Sequence, residues 1–413
     1  MIEGDNLSVL ERLVEFQPAS VDLIYIDPPY NGTSRHLGYR DDHAEWEENL
    51  RARLVIARQL LTRLGVIVIA VDDSEIGRLR VLADAVFGNR NLLTTLIHQG
   101  DVNSGRRFTG GGVDYMVVYG RSKQSMMDAD VRWREPKVGV DKILKAGAKA
   151  WAQSKGSADQ ATTLLRKWWT GRKYKFSGGL GEYTRVDEDG RVFRIGTLGV
   201  PAGRGSGRYD LLHPSTRRPV VPPPGDWVGP PRTLHAYVEQ GRILFGPDET
   251  TTPWRKLFLD EQLDEVPVPT FNLSRSEGTK HLNRIFPGET RFAHPKDHRV
   301  LARWFRIMAG PDATILDFYA GSGTTAEAVM TLNAEDGGTR RAILITNNEV
   351  PAAKQKTLRA AGSEPGDDAW EAHGVFRSVC RPRLETIVTG VREDGSAYIG
   401  PVYSENVDFL RAP

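Results

Sequence analysis

A single cysteine, Cys380, stands among 413 residues, so no disulfide can close within the chain and a cystine-stapled scaffold is excluded. Long apolar runs are missing as well. The longest, Val66-Ile67-Val68-Ile69-Ala70-Val71, falls far short of the roughly 20 residues that a helical bilayer span needs. The opening residues Met1-Ile2-Glu3-Gly4-Asp5 are already polar and lack the charged-then-apolar order of a signal segment. The nine histidines are scattered without a ligand spacing, and Asp72-Asp73 reads as a helix cap, so no metal site is expected. There is no internal repeat, and low complexity is confined to Val221-Pro222-Pro223-Pro224. These absences lead to the expectation of a cytoplasmic protein with no membrane partner.

What is present is ordinary globular material. Hydrophobic residues make up 39% before glycine is counted, and about 49% with it, inside the usual range. The length allows roughly two to three domains. Net charge is only +2, from 55 basic and 53 acidic residues, but it is unevenly spread. Residues 121–260 hold 25 lysines and arginines against 15 acids, a net of +10, which leaves −8 for the two flanks. A basic middle between acidic ends suits an inserted segment that meets a polyanion, although solvated surface alone can have this composition.

The first 120 residues have α/β texture. Residues 21–27 form an apolar strand closed by Pro28-Pro29, which cannot continue a ladder. Residues 46–64 carry a helical apolar stripe with Gly65 placed as its C-cap. Residues 66–71 form a second apolar strand, followed by Asp72-Asp73-Ser74, suited to capping a helix over residues 75–87. Residues 92–98 and 115–119 read as further strands. From about residue 123 to 269 periodicity fades, and glycine, proline, arginine and aromatics dominate, as in Arg166-Lys167-Trp168-Trp169. A hairpin is expected over residues 183–195, turning at Glu188-Asp189-Gly190, in a mixed or mostly β insertion. After Pro295 the α/β texture returns: a helix over 297–308, a strand from Thr314, a helix to about Leu332, and a strand over 341–346. The alternation predicts a largely parallel sheet covered on both faces.

Two constellations carry chemistry. Asp317-Phe318-Tyr319-Ala320-Gly321-Ser322-Gly323 lies between a strand and a helix, where glycines allow close backbone approach and the helix start offers free N–H groups. Such a turn also occurs in plain crossovers, and it lacks the third glycine of the dinucleotide fingerprint. Glu349, at the end of the next strand, stands where a carboxylate would bind ribose hydroxyls, which turns the pair into a nucleoside-cofactor site. The second constellation is Asp27-Pro28-Pro29-Tyr30-Asn31, a rigid extended turn that holds a carboxylate and an aromatic ring at a strand end. A strand terminator with a core tyrosine would explain the prolines but not the carboxylate.

Together, Asp27-Pro28-Pro29-Tyr30 and Asp317 to Gly323 resemble the β-class DNA amino-methyltransferases, in particular adenine-N6 members akin to the modification subunits of type III restriction systems. Gly4-Asp5-Asn6-Leu7, residues 65–73, 115–119 and 292–296 fall in family order, and the resemblance covers most of residues 1–125 and 270–390. It implies an α/β fold: a Rossmann-like, S-adenosylmethionine-dependent methyltransferase core with circularly permuted motif order and an inserted target-recognition domain. The expected division is a catalytic half over 1–122, the basic recognition domain over 123–269, and a cofactor-binding half over 270–413. S-adenosyl-L-methionine is the implied methyl donor. Asp317, Phe318, Tyr319, Ala320, Gly321, Ser322 and Gly323 would cradle its methionine portion, Glu349 the ribose, and Asp5 with Asn6 the adenine end, with Lys296 nearby.

Asp27 and the Pro28 carbonyl, in the turn completed by Pro29, would accept hydrogens from the target amino group, and Tyr30 would stack on the base. That chemistry suits an exocyclic amine, whose lone pair is delocalised into the ring. Two acceptors gripping its hydrogens stabilise the positive charge that develops on nitrogen. The base must leave the duplex to reach such a site. Arg166, Lys167, Arg172 and Lys173 are the expected DNA contacts. Double-stranded DNA is the expected partner, and a second copy of the chain and a restriction subunit are further partners open to such a protein.

Three departures from the family stand out: Tyr319 replaces a usual Phe, Asp297 replaces a second proline after Pro295-Lys296, and only Ile2 and Glu3 precede Gly4. The last suggests an upstream start or a truncated strand. The rival readings are a cytosine-N4 methyltransferase, which usually has Ser at the place of Asp27, and a non-catalytic DNA-binding subunit of a modification system. A nicotinamide-dependent oxidoreductase is a distant third.

Overall fold

A computed structural model describes residues 1–29, 43–102, 111–172, 176, 179–274 and 276–412. Within these the chain folds into two compact units, one formed by Met1–Trp133 with Val268–Pro413 and the other by Arg134–Pro267. The expected boundaries at 122/123 and 269/270 differ from this division. The short helix Lys123–Asp128 buries Met126 in the core of the first unit, beneath the strand that precedes it, so residues 123–133 belong there.

The first unit is built on a nine-stranded mixed sheet. Its strands in chain order are β1 (Ile2–Glu3), β2 (Val21–Ile26), β3 (Leu61–Asp72), β4 (Leu92–Val102), β5 (Gly111–Gly120), β6 (Thr270–Asn272), β7 (Thr314–Asp317), β8 (Arg341–Thr346) and β9 (Leu410–Arg411). Their order across the sheet is β6-β4-β5-β3-β2-β7-β8-β1-β9. From β3 to β9 every pairing is parallel, while β5 runs antiparallel to both β3 and β4. Two-residue β1 thus pairs on both sides.

The parallel centre explains the continuous apolar strands: in β3, each residue from 66 to 71 is at most 1% exposed, because helices cover both faces. One face packs under α1 (Asn6–Phe16), α2 (His43–Leu60) and α3 (Ile76–Phe87) through Leu10, Leu54, Leu79 and Phe87. The other packs under α5 (His298–Met308) and α6 (Thr324–Asp336) through Leu301, Trp304, Phe305, Ala328 and Leu332. Beside them stand α4 (Ser276–Ile285) and α7 (Arg381–Thr389), which share a cluster of Leu282, Ile285, Leu384 and Ile387. Val300, Leu301, Trp304 and Phe305 form the buried face of α5, over the range where the sequence predicts a helix.

Two local expectations fail. Helix α2 ends at Leu60, and Gly65 lies within β3 rather than capping the helix, because the strand begins early and shifts register against β2 between Val21 and Leu23. Asp72 does not cap α3. Its carboxylate instead accepts bonds from the backbone N–H and hydroxyl of Ser74 and shapes the turn.

The second unit mixes helices and short strands. Helices Val140–Gln153 and Ala158–Trp169 bury Ile143, Leu165 and Trp169 against the hairpin Arg185–Val186 and Val192–Gly196. That hairpin pairs Val186 with Val192 and turns through Gly190 at φ +82°, as the Glu188-Asp189-Gly190 signal predicts.

Candidate functional site

Because β1, β2, β7 and β8 run parallel side by side, their C-terminal ends open on one edge of the sheet. Gly4 and Asp5 leave β1, Asp27-Pro28-Pro29 leave β2, the Phe318 to Gly323 turn leaves β7, and Asn347 to Glu349 leave β8. The carboxyl ends of strands in open α/β sheets are where ligands bind. Most of the residues singled out by sequence are therefore gathered at one place by topology alone.

Asp27 is partly exposed, and the Lys296 ammonium sits 3.4 Å from its Oδ1. Pro28 is buried, and the Pro29 carbonyl accepts a 2.8 Å bond from the indole N–H of Trp46 on α2, which fixes the turn. Tyr30 and Asn31 lie outside the described residues.

In the glycine turn, Gly321 and Gly323 have φ of +49° and +81°, a region where side chains are strained. A β-carbon on Gly323 would lie 2.8 Å from the sulfur of buried Cys380, so this glycine is required by packing as well as by the turn. Asp317 is buried at the base of the turn. Its carboxylate accepts the hydroxyl of Thr325 at 2.5 Å and the N–H of Tyr319 at 3.0 Å. Burial pushes its pKa up to about 7, with nearby Asp27 adding to the rise. Phe318 is fully buried in the core. Asp317 and Phe318 thus shape the turn from below, and the partly exposed Tyr319 and Gly321 form its accessible rim.

Asn6 links two of the strand ends: its amide donates to the Phe318 carbonyl at 2.7 Å and its oxygen accepts Arg53 Nε at 2.5 Å. Asp5 caps α1 by accepting the Ser8 N–H at 3.1 Å and lies 3.6 Å from the Arg53 guanidinium. Glu349 is exposed at the end of β8, and its backbone carbonyl accepts the Val375 N–H. Asp297, the departure after Lys296, is the N-cap of α5, accepting the Arg299 N–H at 2.9 Å.

In the second unit, Arg166, Lys167 and Arg172 are exposed at and just past the end of helix Ala158–Trp169. Lys173 lies outside the described residues. Trp169 is a core residue that donates its indole N–H to the Tyr183 carbonyl, while Trp168 carries the Arg172 guanidinium over its ring at 5.6 Å.

Sequence reasoning missed Arg53, the brace behind Asp5 and Asn6. It also missed Glu327, Arg383, His281 and His298, a buried polar group next to the glycine turn. The signal for Glu327 was weak: one acid among small apolar residues directly after the glycine turn.

A family model described as DNA methylase, grouping N6 and N4 methyltransferases, matches residues 21–355. The "Type III restriction-modification enzyme EcoP15I Mod subunit" of Escherichia coli is 25% identical over 392 residues, covering 87% of this chain and 60% of the relative. The chain thus spans about three fifths of that protein's length. The "Type II methyltransferase M.KpnI" of Klebsiella pneumoniae is 28% identical over 364 residues, covering 84% of this chain and 79% of the relative. Among solved structures, a PvuII DNA methyltransferase titled cytosine-N4-specific covers 84% of this chain and 80% of its own, at 11% identity and a TM-score of 0.39.

Proposed function

The chain belongs to the N6/N4 DNA methylase family, and from that premise we propose that it transfers a methyl group from S-adenosyl-L-methionine to N6 of adenine in duplex DNA. The observation that supports this most is the adjacency of two turns. Asp27-Pro28-Pro29 and the Phe318 to Gly323 turn leave neighbouring parallel strands on the same edge, so an acceptor pair and a backbone cradle face one working volume.

The strand ends suit such a methyl donor. The left-handed glycines bring bare backbone to the edge, and the acids Asp5 and Glu349 close β1 and β8, the positions at which hydroxyl and amine donors of a nucleoside would be met. When bound, the donor supplies an electrophilic sulfonium methyl. Asp27 and the Pro28 carbonyl would accept hydrogen bonds from the two amino hydrogens of the target, directing the nitrogen lone pair out of conjugation and offsetting the charge growing on it. As the N–C bond forms, the methyl–sulfur bond breaks, with S-adenosylhomocysteine leaving and one amino proton passing to solvent. Lys296 fixes the Asp27 carboxylate in place through their ion pair. The target base leaves the helix, and Tyr30 stacks on it. Asp at position 27, where cytosine-N4 enzymes usually carry Ser, favours adenine.

Residues 134–267 would read the DNA, with Arg166, Lys167, Arg172 and Lys173 among the phosphate contacts. The similarity to modification subunits makes a restriction subunit the natural protein partner, alongside a second copy of the chain. No helix among the described residues is long and apolar enough to cross a membrane.

Transfer of label from methyl-labelled S-adenosylmethionine to duplex DNA tests the proposal. Asp27→Ala should lower turnover at least about a hundredfold while cofactor binding survives, because the lost acceptor acts in the transition state. Tyr30→Phe should retain substantial activity and Tyr30→Ala should lose much of it, since stacking is worth roughly 1–3 kcal/mol. Near-normal transfer by Asp27→Ala would overturn the assignment.

A further inference from the structure

Packed against the glycine turn, Glu327 on α6 is fully buried and Arg383 on α7 is 1% exposed. Arg383 spends two nitrogens on one carboxylate oxygen, with Nε at 3.0 Å and Nη2 at 2.7 Å from Oε2 of Glu327. Its remaining nitrogen, Nη1, donates to the Ser322 carbonyl at 3.1 Å, the Ser322 hydroxyl at 3.0 Å and the Thr324 hydroxyl at 2.9 Å. The other oxygen of Glu327 faces two imidazoles, His281 Nε2 at 2.5 Å and His298 Nδ1 at 4.0 Å.

Two histidines and a glutamate this close could bind a cation, but the proton placement argues otherwise. Arg284 Nη2 lies 2.9 Å from Nδ1 of His281, and a guanidinium can only donate. The His281 proton therefore sits on Nε2 and is given to Glu327, which occupies the nitrogen a metal would need. Arg383 already balances the carboxylate charge. Burial would raise the pKa of Glu327, yet Arg383 and His281 hold it well below the usual carboxylate range, and burial pushes the His298 imidazole down to about 4. The cluster is a buried Glu327–Arg383 ion pair to which His281 donates.

We infer that Arg383 is a positioning residue for the methyl donor: held by Glu327, it grips Ser322 and Thr324 and so sets the turn that presents backbone to the cofactor. The inference rests on the S-adenosylmethionine reading above. The same grip extends toward Asp27. The Thr324 hydroxyl lies 3.5 Å from the Lys296 carbonyl, and Lys296 pairs with Asp27. Helix α4, which carries His281, presses on that segment so closely that a β-carbon on Gly278 would lie 2.1 Å from the Pro295 carbonyl. One buried guanidinium thereby ties the cofactor turn to the segment that orients the proposed catalytic carboxylate.

The test uses the full chain and calorimetric titration with S-adenosylmethionine. Removing Arg383 alone would strand a buried charge, so the informative variant is Arg383→Met/Glu327→Met, which removes both charges together. A second variant, Thr324→Val, keeps the ion pair and the side-chain shape and deletes only the gripped hydroxyl. The Kd for S-adenosylmethionine should rise at least tenfold in the double variant and several-fold in Thr324→Val. DNA binding of Thr324→Val should stay unchanged and its apo unfolding temperature should fall only modestly, as the loss of one buried hydroxyl requires. Arg383→Lys should fall between wild type and the double variant. Wild-type cofactor affinity in Thr324→Val, or in a folded double variant, would overturn the inference and leave the cofactor reading standing. Failure of the unaltered protein to bind S-adenosylmethionine would overturn both.

Discussion

At the residue scale, the glycine turn combines backbone strain with close packing. Gly323 holds φ +81°, and any β-carbon there meets Cys380 Sγ at 2.8 Å. Gly323→Ala should therefore destabilise the apo protein by about 1–3 kcal/mol from the left-handed conformation, with a steric penalty on top. Adding Cys380→Ala should recover the steric part and leave the backbone part, which thermal unfolding of the two variants separates. An unfolding temperature unmoved by Gly323→Ala would contradict the packing described.

Asp317 makes a different prediction. Its folded pKa is raised to about 7 from an ordinary carboxylate value, mainly by burial, so the folded protein holds a proton that the unfolded chain releases at lower pH. The sign follows: its contribution to stability is fully present below about pH 4 and is lost as pH rises toward 7 and beyond. Asp317→Asn removes this titration. Wild-type stability relative to that variant should fall by on the order of a few kcal/mol between about pH 4 and 8, as read by denaturant unfolding at a series of pH values. A difference independent of pH would mean that Asp317 ionises normally.

At the element scale, what could be read from sequence depended on whether burial left a local pattern. Strands β2, β3 and β8 were legible because a strand covered on both faces must be apolar throughout, and the stripe of α5 because one face alone is buried. The end of α2 was not legible, since Gly65 mimics a cap and only the register shift beside β2 reveals that the strand has already begun. The helices Val140–Gln153 and Ala158–Trp169 were hidden by their setting of glycine, proline and arginine, although each carries a buried apolar face. Arg383 left no trace in sequence, because its partners Ser322, Thr324 and Glu327 are all more than 50 positions away.

The exposed cations at the end of helix Ala158–Trp169 carry the DNA-binding prediction at this scale. Neutralising Arg166, Lys167 and Arg172 together should weaken DNA binding and lower the salt slope of log K by up to about three, at roughly 0.9 per phosphate contact. Cofactor affinity should not change. Binding measured by fluorescence anisotropy across a salt series decides this, and an unaltered slope would move the phosphate contacts elsewhere.

At the scale of the whole molecule, the proposed chemistry depends on the strand order of one sheet. Placing β2 beside β7, and β8 with β1 beyond them, brings residues from both ends of the chain to a single edge, with Asp27, the glycine turn, Glu349 and Asp5 in sequence along it. The most direct test of the function drawn from that arrangement is nucleoside mass spectrometry of duplex DNA incubated with the protein and S-adenosylmethionine. The account predicts N6-methyladenine with the wild-type chain and none above background with Asp27→Ala. N4-methylcytosine in its place would contradict the adenine assignment, and unmodified DNA in every reaction would contradict the proposed activity itself.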